Sequence, residues 1–325
     1  MPEHTIGIRA MVTSQHELYR YRSGGIEVRS DRALPGLRSA GETISDHVLT
    51  LVTGPQATVP HDLPEGEVIL DADFDRRLYC GVRDRDGYVL RFPGLCEVRL
   101  SPTLRDGECH MDPEADADLA AILLSGTMLA FVLALSGRCV LHASAVEVNG
   151  RGLAFVGHSG VGKSTLTVAT CSAGARLITE DVLVATPGDE PACLPGNCDI
   201  RVREKAYSLL DGVDWPTTTT GDHRRAVRPP FTELDHVPLD TIIIPRPSRR
   251  AKSLTVEQLP PSQAAMRLIA FPRVLGLTDG GVNRRQFEAV GRIVRSVPVL
   301  VATVPWGPPF SPEIGEELLA LMRGS

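Results

Sequence analysis

A glycine-rich run near the middle of the chain constrains the fold more than any other feature of the sequence. The run fits the pattern G-x-x-x-x-G-K-S in full, as Gly157-His158-Ser159-Gly160-Val161-Gly162-Lys163-Ser164. The apolar segment 153–156 before it is typical of a strand, and residues 165 to about 175 after it are typical of a helix. A strand that turns through glycines into a helix is the setting in which this pattern holds a phosphate chain. The sequence therefore predicts an α/β domain built around this loop.

The residue types of the loop indicate how it would hold a nucleotide. Glycines let the backbone fold around phosphate, and successive amide N–H groups with the helix N terminus bind its negative charge. Lys163 is expected to reach the β and γ phosphates, and the Ser164 hydroxyl to bind Mg²⁺. Thr165 continues the loop into the helix, whereas His158 stands at a variable position and is expected to contribute only its backbone. The predicted ligands are ATP and Mg²⁺, with the choice between ATP and GTP left open.

Two adjacent carboxylates follow the next strand-like segment, 176–179. Transfer of a phosphoryl group to a hydroxyl requires a carboxylate for the metal and a base near the acceptor. Because neighbouring residues of a strand point to opposite faces, Glu180 and Asp181 can serve these two groups. Asp181 is predicted to bind the metal together with Ser164, while either acid is a candidate for the base. The alternative is a solvated or helix-capping acid pair.

His142 is a further candidate for proton transfer. It lies in a segment, 138–148, that reads as one strand and is followed by the turn 149–152, so a β-hairpin is predicted to lead into the loop. That hairpin would bring His142 beside the phosphates, where an imidazole can exchange a proton near neutral pH. A histidine in a strand also has the simpler interpretation of a satisfied core residue.

The chain is interpreted as three regions. Residues 1–112 alternate short strand-like runs with Pro- and Gly-rich turns, which predicts a β-rich module for support or substrate recognition. Residues 113–137 are predicted to form a connecting buried helix, with acidic residues at its N terminus. Residues 138–325 are predicted to form the catalytic domain with a mixed sheet. Its later elements are expected to be strands at 241–244 and 297–303, helices at 261–271, 284–295 and 312–322, and loops over 187–230.

Composition excludes several classes of protein. The 325 residues are 42% hydrophobic and 23% charged, and the formal net charge is −6 without a long Lys or Arg block, so nucleic acid is not expected as a partner. The seven cysteines are scattered without a C-x-x-C pair, which indicates reduced thiols rather than zinc. The N terminus lacks a signal-peptide pattern and the apolar run 119–135 is short for a membrane span. A cytoplasmic protein is expected.

Three segments together resemble the catalytic domain of the HPr kinase/phosphorylase family. That resemblance implies a fold similar to the nucleotide-binding domain of phosphoenolpyruvate carboxykinase and the phosphorylation of a serine hydroxyl by ATP. It implies that His142 matches the active-site histidine of the family and that Glu180-Asp181 stands in place of its Asp-Asp pair. Family members are often multimeric, which adds a homo-oligomer to the expectations. The segments are Leu141-His142-Ala143-Ser144-Ala145-Val146, Gly157 to Thr165, and Gly174-Ala175-Arg176-Leu177-Ile178-Thr179-Glu180-Asp181-Val182.

The sequence departs from the family pattern at two places. Glu180 keeps the charge of aspartate but adds a methylene, so a base at this position would be displaced. The signature I-E-x-R-G-x-G is absent from residues 194–202, so neither HPr as substrate nor the reverse phosphorylase activity carries over. The flanks 21–37 and 290–305 resemble HPr-kinase-like proteins associated with peptide natural products. These include lasso-peptide kinases that phosphorylate a serine of a precursor peptide.

Two other functions compete with a peptide or protein kinase. A small-molecule kinase of the shikimate-kinase type also places acids after the loop helix, although the predicted hairpin before the loop argues against that fold. A switch that binds ATP and a partner without transfer would use the same loop. Two basic clusters could contact phosphate or an acidic peptide, or could be solvated surface. They are Arg201, Arg203 and Lys205, and Arg246, Arg249, Arg250 and Lys252.

Overall fold

The first nine strands form one sheet that precedes the glycine-rich loop. The computed structural model describes residues 18–41, 45–220, 224–307, 310–311 and 313–323. The strands lie in the order β3-β1-β2-β4-β9-β8-β7-β6-β5. Five of them, β2, β4, β5, β7 and β8, fall on the strand-like runs of the sequence, and β1, β3, β6 and β9 are strands that those runs did not include. The strands are β1 (Tyr19–Ser23), β2 (Ile26–Ser30), β3 (Arg38–Ser39), β4 (Val48–Thr53), β5 (Glu67–Asp73), β6 (Arg77–Arg83), β7 (Tyr88–Phe92), β8 (Cys96–Leu100) and β9 (Asp106–Met111).

A helical segment packs its apolar side chains against this sheet. It consists of α1 (Ala117–Leu123), a π-helical turn (Leu124–Met128) and α2 (Leu129–Leu135). The Asp116 carboxylate accepts bonds from two first-turn N–H groups, as the acidic segment predicted. By length and composition this helix could cross a membrane, yet 61% of its most apolar window is buried inside the protein. The prediction of a buried helix is therefore confirmed.

The remaining strands form a mixed sheet and a small three-stranded sheet. In the mixed sheet β12 and β19 are parallel, and β19 and β21 are parallel, so their carboxyl ends meet at one edge. The neighbours follow the order β10-β14-β15-β19-β12-β11-β13, with β21 also beside β19 and β20 beside β21. The strands are β10 (Cys139–Leu141), β11 (Ala143–Val148), β12 (Arg151–Val156), β13 (Arg176–Thr179), β14 (Leu183–Thr186), β15 (Ala192–Leu194), β16 (Ile200–Val202), β17 (Thr217–Thr219), β18 (Arg225–Val227), β19 (Val237–Ser248), β20 (Thr255–Gln258) and β21 (Val299–Pro305).

Helices cover both faces of the mixed sheet. One face packs against α3 (Lys163–Ser172) and α6 (Ile314–Arg323), and the other against α4 (Pro261–Ile269) and α5 (Gly280–Ile293). Side chains of successive β19 residues pack on opposite faces of the sheet. Ile243 packs on the side of α3, and Ile242 and Ile244 pack on the side of α4. The predicted α/β fold class with a mixed sheet is confirmed. The boundaries at residues 112 and 137 stay predictions.

Two predictions about secondary structure are wrong in part. The segment 138–148 is not one strand: it breaks at His142, where β10 pairs with β14 while β11 forms the hairpin with β12. The break arises because the His142 N–H bonds to the Phe271 carbonyl, outside the ladder. The region 187–230 is not only loop, since it holds β15 to β18 and a 3₁₀-helix, Glu204–Leu210.

Candidate functional site

The glycine-rich loop joins β12 to α3 at the carboxyl edge of the mixed sheet. Gly160 and Gly162 have φ of +88° and +94°, a region that residues with a side chain adopt only with strain. Gly162 is the N-cap of α3 and brings no side-chain cap to the helix. The N–H groups at the start of the helix, including those of Ser164 and Thr165, therefore keep their capacity to bind an anion. This backbone fits the phosphates of a nucleotide.

Lys163 lies inside the curve of the loop. Its side chain is buried, and Nζ donates hydrogen bonds to the carbonyl oxygens of Gly157 at 2.8 Å and His158 at 2.9 Å. Burial lowers the pKa of the ammonium to about 8, against the opposing effect of the carboxylates of Glu180 and Asp181. The ring of His158 itself turns away and packs edge-on against Phe271.

The Ser164 hydroxyl donates a hydrogen bond to the Glu180 carboxylate. Glu180 is 5% exposed and directly follows the strand β13, which runs beside the loop hairpin. Burial raises its pKa, although the hydroxyls of Ser144 and Ser164 oppose the shift. The second oxygen, Oε2, is buried and forms no hydrogen bond with the residues that the structure describes, and the nearby Ser144 hydroxyl is likewise buried and unsatisfied. A buried, unsatisfied carboxylate oxygen beside a serine hydroxyl fits an Mg²⁺ ligand set of oxygens.

Asp181 faces a different set of partners. Its Oδ1 lies 3.1 Å from Nδ1 of His142, and its Oδ2 accepts a hydrogen bond of 2.7 Å from Arg273. Burial disfavours the charged form, but Arg273 and His142 outweigh it and hold the pKa of Asp181 well below its usual range. The backbone of Asp181 is left-handed, with φ of +69°, a conformation that costs a non-glycine residue energy. The two acids thus contact different groups, as expected, but Glu180 rather than Asp181 contacts Ser164.

His142 is fixed by contacts on its backbone and on its ring. Its N–H bonds to the Phe271 carbonyl, and its own carbonyl accepts from the N–H of Gly157, the first residue of the loop. In the tautomer that donates from Nδ1 to Asp181, the Nε2 atom is the one that can accept a proton. His142 therefore lies next to the loop, as the predicted hairpin required, although it lies at the strand break and not within the strand.

Arg273 is the site residue that the sequence analysis missed. It is 92 positions from Asp181 along the chain, and no motif surrounds it. The bridge between Leu141 and Pro272 brings it to the site. Its Nη atoms also lie 3.4 Å from the hydroxyl of Thr127, in the π-helical turn. The signal available in the sequence was only a basic residue after a helix, which is a common surface pattern.

The predicted basic clusters are distributed unevenly around the site. Arg201 lies 4.0 Å from Asp181, whereas Arg203 and Lys205 are exposed. Arg246 lines a cavity of about 150 Å³ that also touches Gly157 and His158. Arg249, Arg250 and Lys252 are exposed in the connection between β19 and β20. Only one member of each cluster therefore adjoins the loop or the acids.

Gly162→Ala should destabilise the protein far more than an equivalent change at a free turn. A Cβ at Gly162 would lie 2.0 Å from the Trp306 ring, in addition to the strain of its positive φ. We expect a loss of about 2–5 kcal/mol in the free energy of unfolding, measured with urea. Gly150→Ala is the control, because φ is +79° but the space is open, and should lose about 1–2 kcal/mol. Equal losses in the two variants would contradict the contact with Trp306.

Comparisons with known proteins found a distant structural similarity and no match in sequence. No protein-family model matches the chain, and no curated protein matches it in sequence. Among solved structures, the chain is similar to the Hpr(Ser) kinase/phosphatase from Coxiella burnetii, with a TM-score of 0.31 and 14% identity. The match covers 57% of this chain and 95% of that chain. The function of the chain is therefore inferred from its own site.

Proposed function

We propose that the chain is an ATP- and Mg²⁺-dependent kinase that transfers the γ-phosphoryl group to a hydroxyl, in particular to a serine of a peptide or protein. One observation carries the proposal: three functional units meet at one edge of the mixed sheet. They are the loop lysine Lys163, the pair Ser164–Glu180, and the set His142–Asp181–Arg273. Phosphoryl transfer to a hydroxyl needs a phosphate cradle, a metal site and a group that takes the acceptor proton.

Lys163 supports the first of these requirements. Its ammonium already faces two loop carbonyls, so phosphate oxygens entering the loop would compete for the same three N–H donors. A hydrogen bond from a charged donor to a charged acceptor is stronger than one to a neutral carbonyl. The lysine should therefore exchange its loop carbonyls for phosphate oxygens when a nucleotide binds. Its positive charge would then lie beside the phosphates, where negative charge accumulates during transfer.

Ser164 and Glu180 support the second requirement. The hydroxyl and the unsatisfied Oε2 of Glu180 supply two oxygens at the start of α3. When bound there, Mg²⁺ would neutralise negative charge on the phosphates. The contact with Ser164 favours Glu180 over Asp181 as the carboxylate of this site, which divides the roles differently from the sequence-based expectation.

His142 and Asp181 support the third requirement. A carboxylate whose pKa lies well below its usual range is a weak proton acceptor, so Asp181 is better suited to orient His142 than to act as the base. Its Oδ1 would hold Nδ1–H of the imidazole and direct Nε2 toward the acceptor hydroxyl. Glu180, which faces Ser164, is the alternative base. With His142 as the base, Nε2 would take the hydroxyl proton as the oxygen attacks the γ-phosphorus, and the bond from that phosphorus to the β,γ-bridging oxygen would break to release ADP.

Label transfer from γ-labelled ATP tests the proposal. The native protein is incubated with Mg²⁺, labelled ATP and a panel of serine peptides, matched alanine peptides and small alcohols. Label on serine peptides alone, lost in Asp181→Asn, is the expected result. Label on a small alcohol would instead favour the small-molecule kinase. Tight ATP binding without transfer to any acceptor would favour the nucleotide switch.

The affinity for ATP should fall as the pH rises above about 8. Lys163 would bind phosphate in its protonated form, and burial lowers its pKa to about 8. Above that pH the lysine must therefore take up a proton when ATP binds. We expect the association constant to fall up to about tenfold per pH unit above this value, and to be level below it. Calorimetric titration between about pH 7 and 9.5 measures the slope. In Lys163→Met the slope should vanish; a native protein with no slope would contradict the role of Lys163.

A further inference from the structure

Trp306 lies against the phosphate loop on the side away from the acids. It follows β21 directly, and its backbone N–H bonds to the Ser248 carbonyl at the end of β19. The six-membered edge of its indole reaches Gly162 so closely that a Cβ there would lie 2.0 Å from it. Trp306 is therefore held at the N terminus of α3, where the phosphates of the proposed nucleotide would bind.

A second aromatic ring accompanies Trp306. The ring of Phe310 lies edge-to-face with the indole, with centroids 5.1 Å apart. Both side chains are only partly buried. Beyond them, Gly315 in α6 packs against the Ala169 carbonyl in α3 without room for a Cβ. The two rings thus form a partly open aromatic surface, which we call the aromatic pair.

The order of strands gives the site two different sides. Along the sheet the strands run β13-β11-β12-β19-β21, with the loop after the central strand β12. Glu180 and Asp181 follow β13, two strands to one side, whereas Trp306 follows β21, two strands to the other. At strand spacings of about 4.8 Å, each side lies roughly 10 Å from the loop strand. The reacting γ-phosphate belongs near the acids, so the nucleoside end of the ligand extends toward the aromatic pair.

We propose that Trp306, supported by Phe310, is the surface on which the base of the nucleotide stacks. The inference rests on the proposed nucleotide site and adds to it the position of the base. An uncharged planar heterocycle stacks on an indole, whereas the acid side presents the charged groups of Asp181 and Arg273. Because every base has a π-face, stacking on Trp306 distinguishes nucleotides from inorganic polyphosphate but not adenine from guanine. ATP and GTP should therefore bind with similar affinity.

Binding of ATP, GTP and inorganic tripolyphosphate, each with Mg²⁺, tests the proposal by calorimetry. Trp306→Leu should weaken ATP and GTP roughly tenfold to a hundredfold, and tripolyphosphate less than about twofold. Trp306→Phe keeps an aromatic face and should lose less than Trp306→Leu. The chain has two tryptophans, so Trp215→Leu is the matched control and should leave all three ligands unchanged.

A second measurement uses a variant that keeps Trp306, in case Trp306→Leu does not fold. In Trp215→Phe the indole of Trp306 is the only one left, and ATP should quench its fluorescence while tripolyphosphate should not. Equal weakening of ATP and tripolyphosphate, or equal quenching by both, would show that Trp306 only supports the loop. Unchanged ATP affinity in Trp306→Leu would place the base elsewhere. Both results overturn this inference and leave the kinase proposal intact, which fails separately if the native protein binds none of the three ligands.

Discussion

Lys163→Ala should lower kcat/KM for phosphoryl transfer by about a hundred- to a thousandfold. The variant removes the buried ammonium that, in the proposed function, binds the phosphates, and loss of a preorganised charge of this kind has effects of that size. Transfer of label from ATP to the best acceptor of the panel measures it. The loss should not come from unfolding, because burying a charged lysine costs stability and alanine removes that cost.

Lys252→Ala is the matched control for this result. Lys252 is an exposed lysine in the connection between β19 and β20, so its removal should change kcat/KM less than about twofold. Thermal unfolding of both variants establishes that they are folded. A folded Lys163→Ala variant that keeps its transfer rate would show that the loop is not the phosphate site of the reaction.

Arg273→Met should destabilise the protein by about 3 kcal/mol, because it leaves the partly buried carboxylate of Asp181 without its closest cation. Only the more distant Arg201, at 4.0 Å, and His142 remain beside it. In the native protein the lowered pKa of Asp181 contributes stability that is present above its unfolded-state pKa and is lost as the pH falls. Without Arg273 the pKa of Asp181 rises. The destabilisation should then be largest near neutral pH and smaller in acid, where the unpaired carboxyl can take up a proton. Urea unfolding at two pH values measures both effects.

Two further variants isolate the Arg273–Asp181 pair. The double variant Arg273→Met/Asp181→Asn removes both charges and should recover a large part of the lost stability, since no buried charge is left alone. Arg267→Met removes an exposed arginine from α4 and should cost less than about 0.5 kcal/mol. If the double variant were as unstable as the sum of the two single variants, the ion pair would not be the reason for the loss.

The sequence predicted the parts of the site that are local along the chain. The loop and the acids after β13 follow from short patterns, because glycine turns and strand ends are properties of neighbouring residues. Alternation along a strand also predicted that Glu180 and Asp181 would serve different groups. It could not indicate which acid faces Ser164, because the left-handed turn at Asp181 changes the direction of the chain after Thr179.

The remaining parts depend on contacts between distant segments. Arg273 reaches Asp181 because the segment after α4 bridges to Leu141, and Thr127 contacts Arg273 from the π-helical turn within the apolar helix. The break at His142 likewise needs the Phe271 carbonyl, more than a hundred positions further along the sequence. Hydrophobic periodicity reports burial and contains no information about such partners.

Titration of the native protein with ATP, with and without Mg²⁺, tests the account most directly. All the proposed chemistry depends on a loop that binds the phosphates and on Ser164 and Glu180 as metal ligands. We expect saturable binding of one ATP per chain, tighter with Mg²⁺ than without it, and the advantage of Mg²⁺ should disappear in Glu180→Gln. Absence of saturable binding by the folded native protein at millimolar ATP would show that the loop does not bind ATP and would contradict the proposed function.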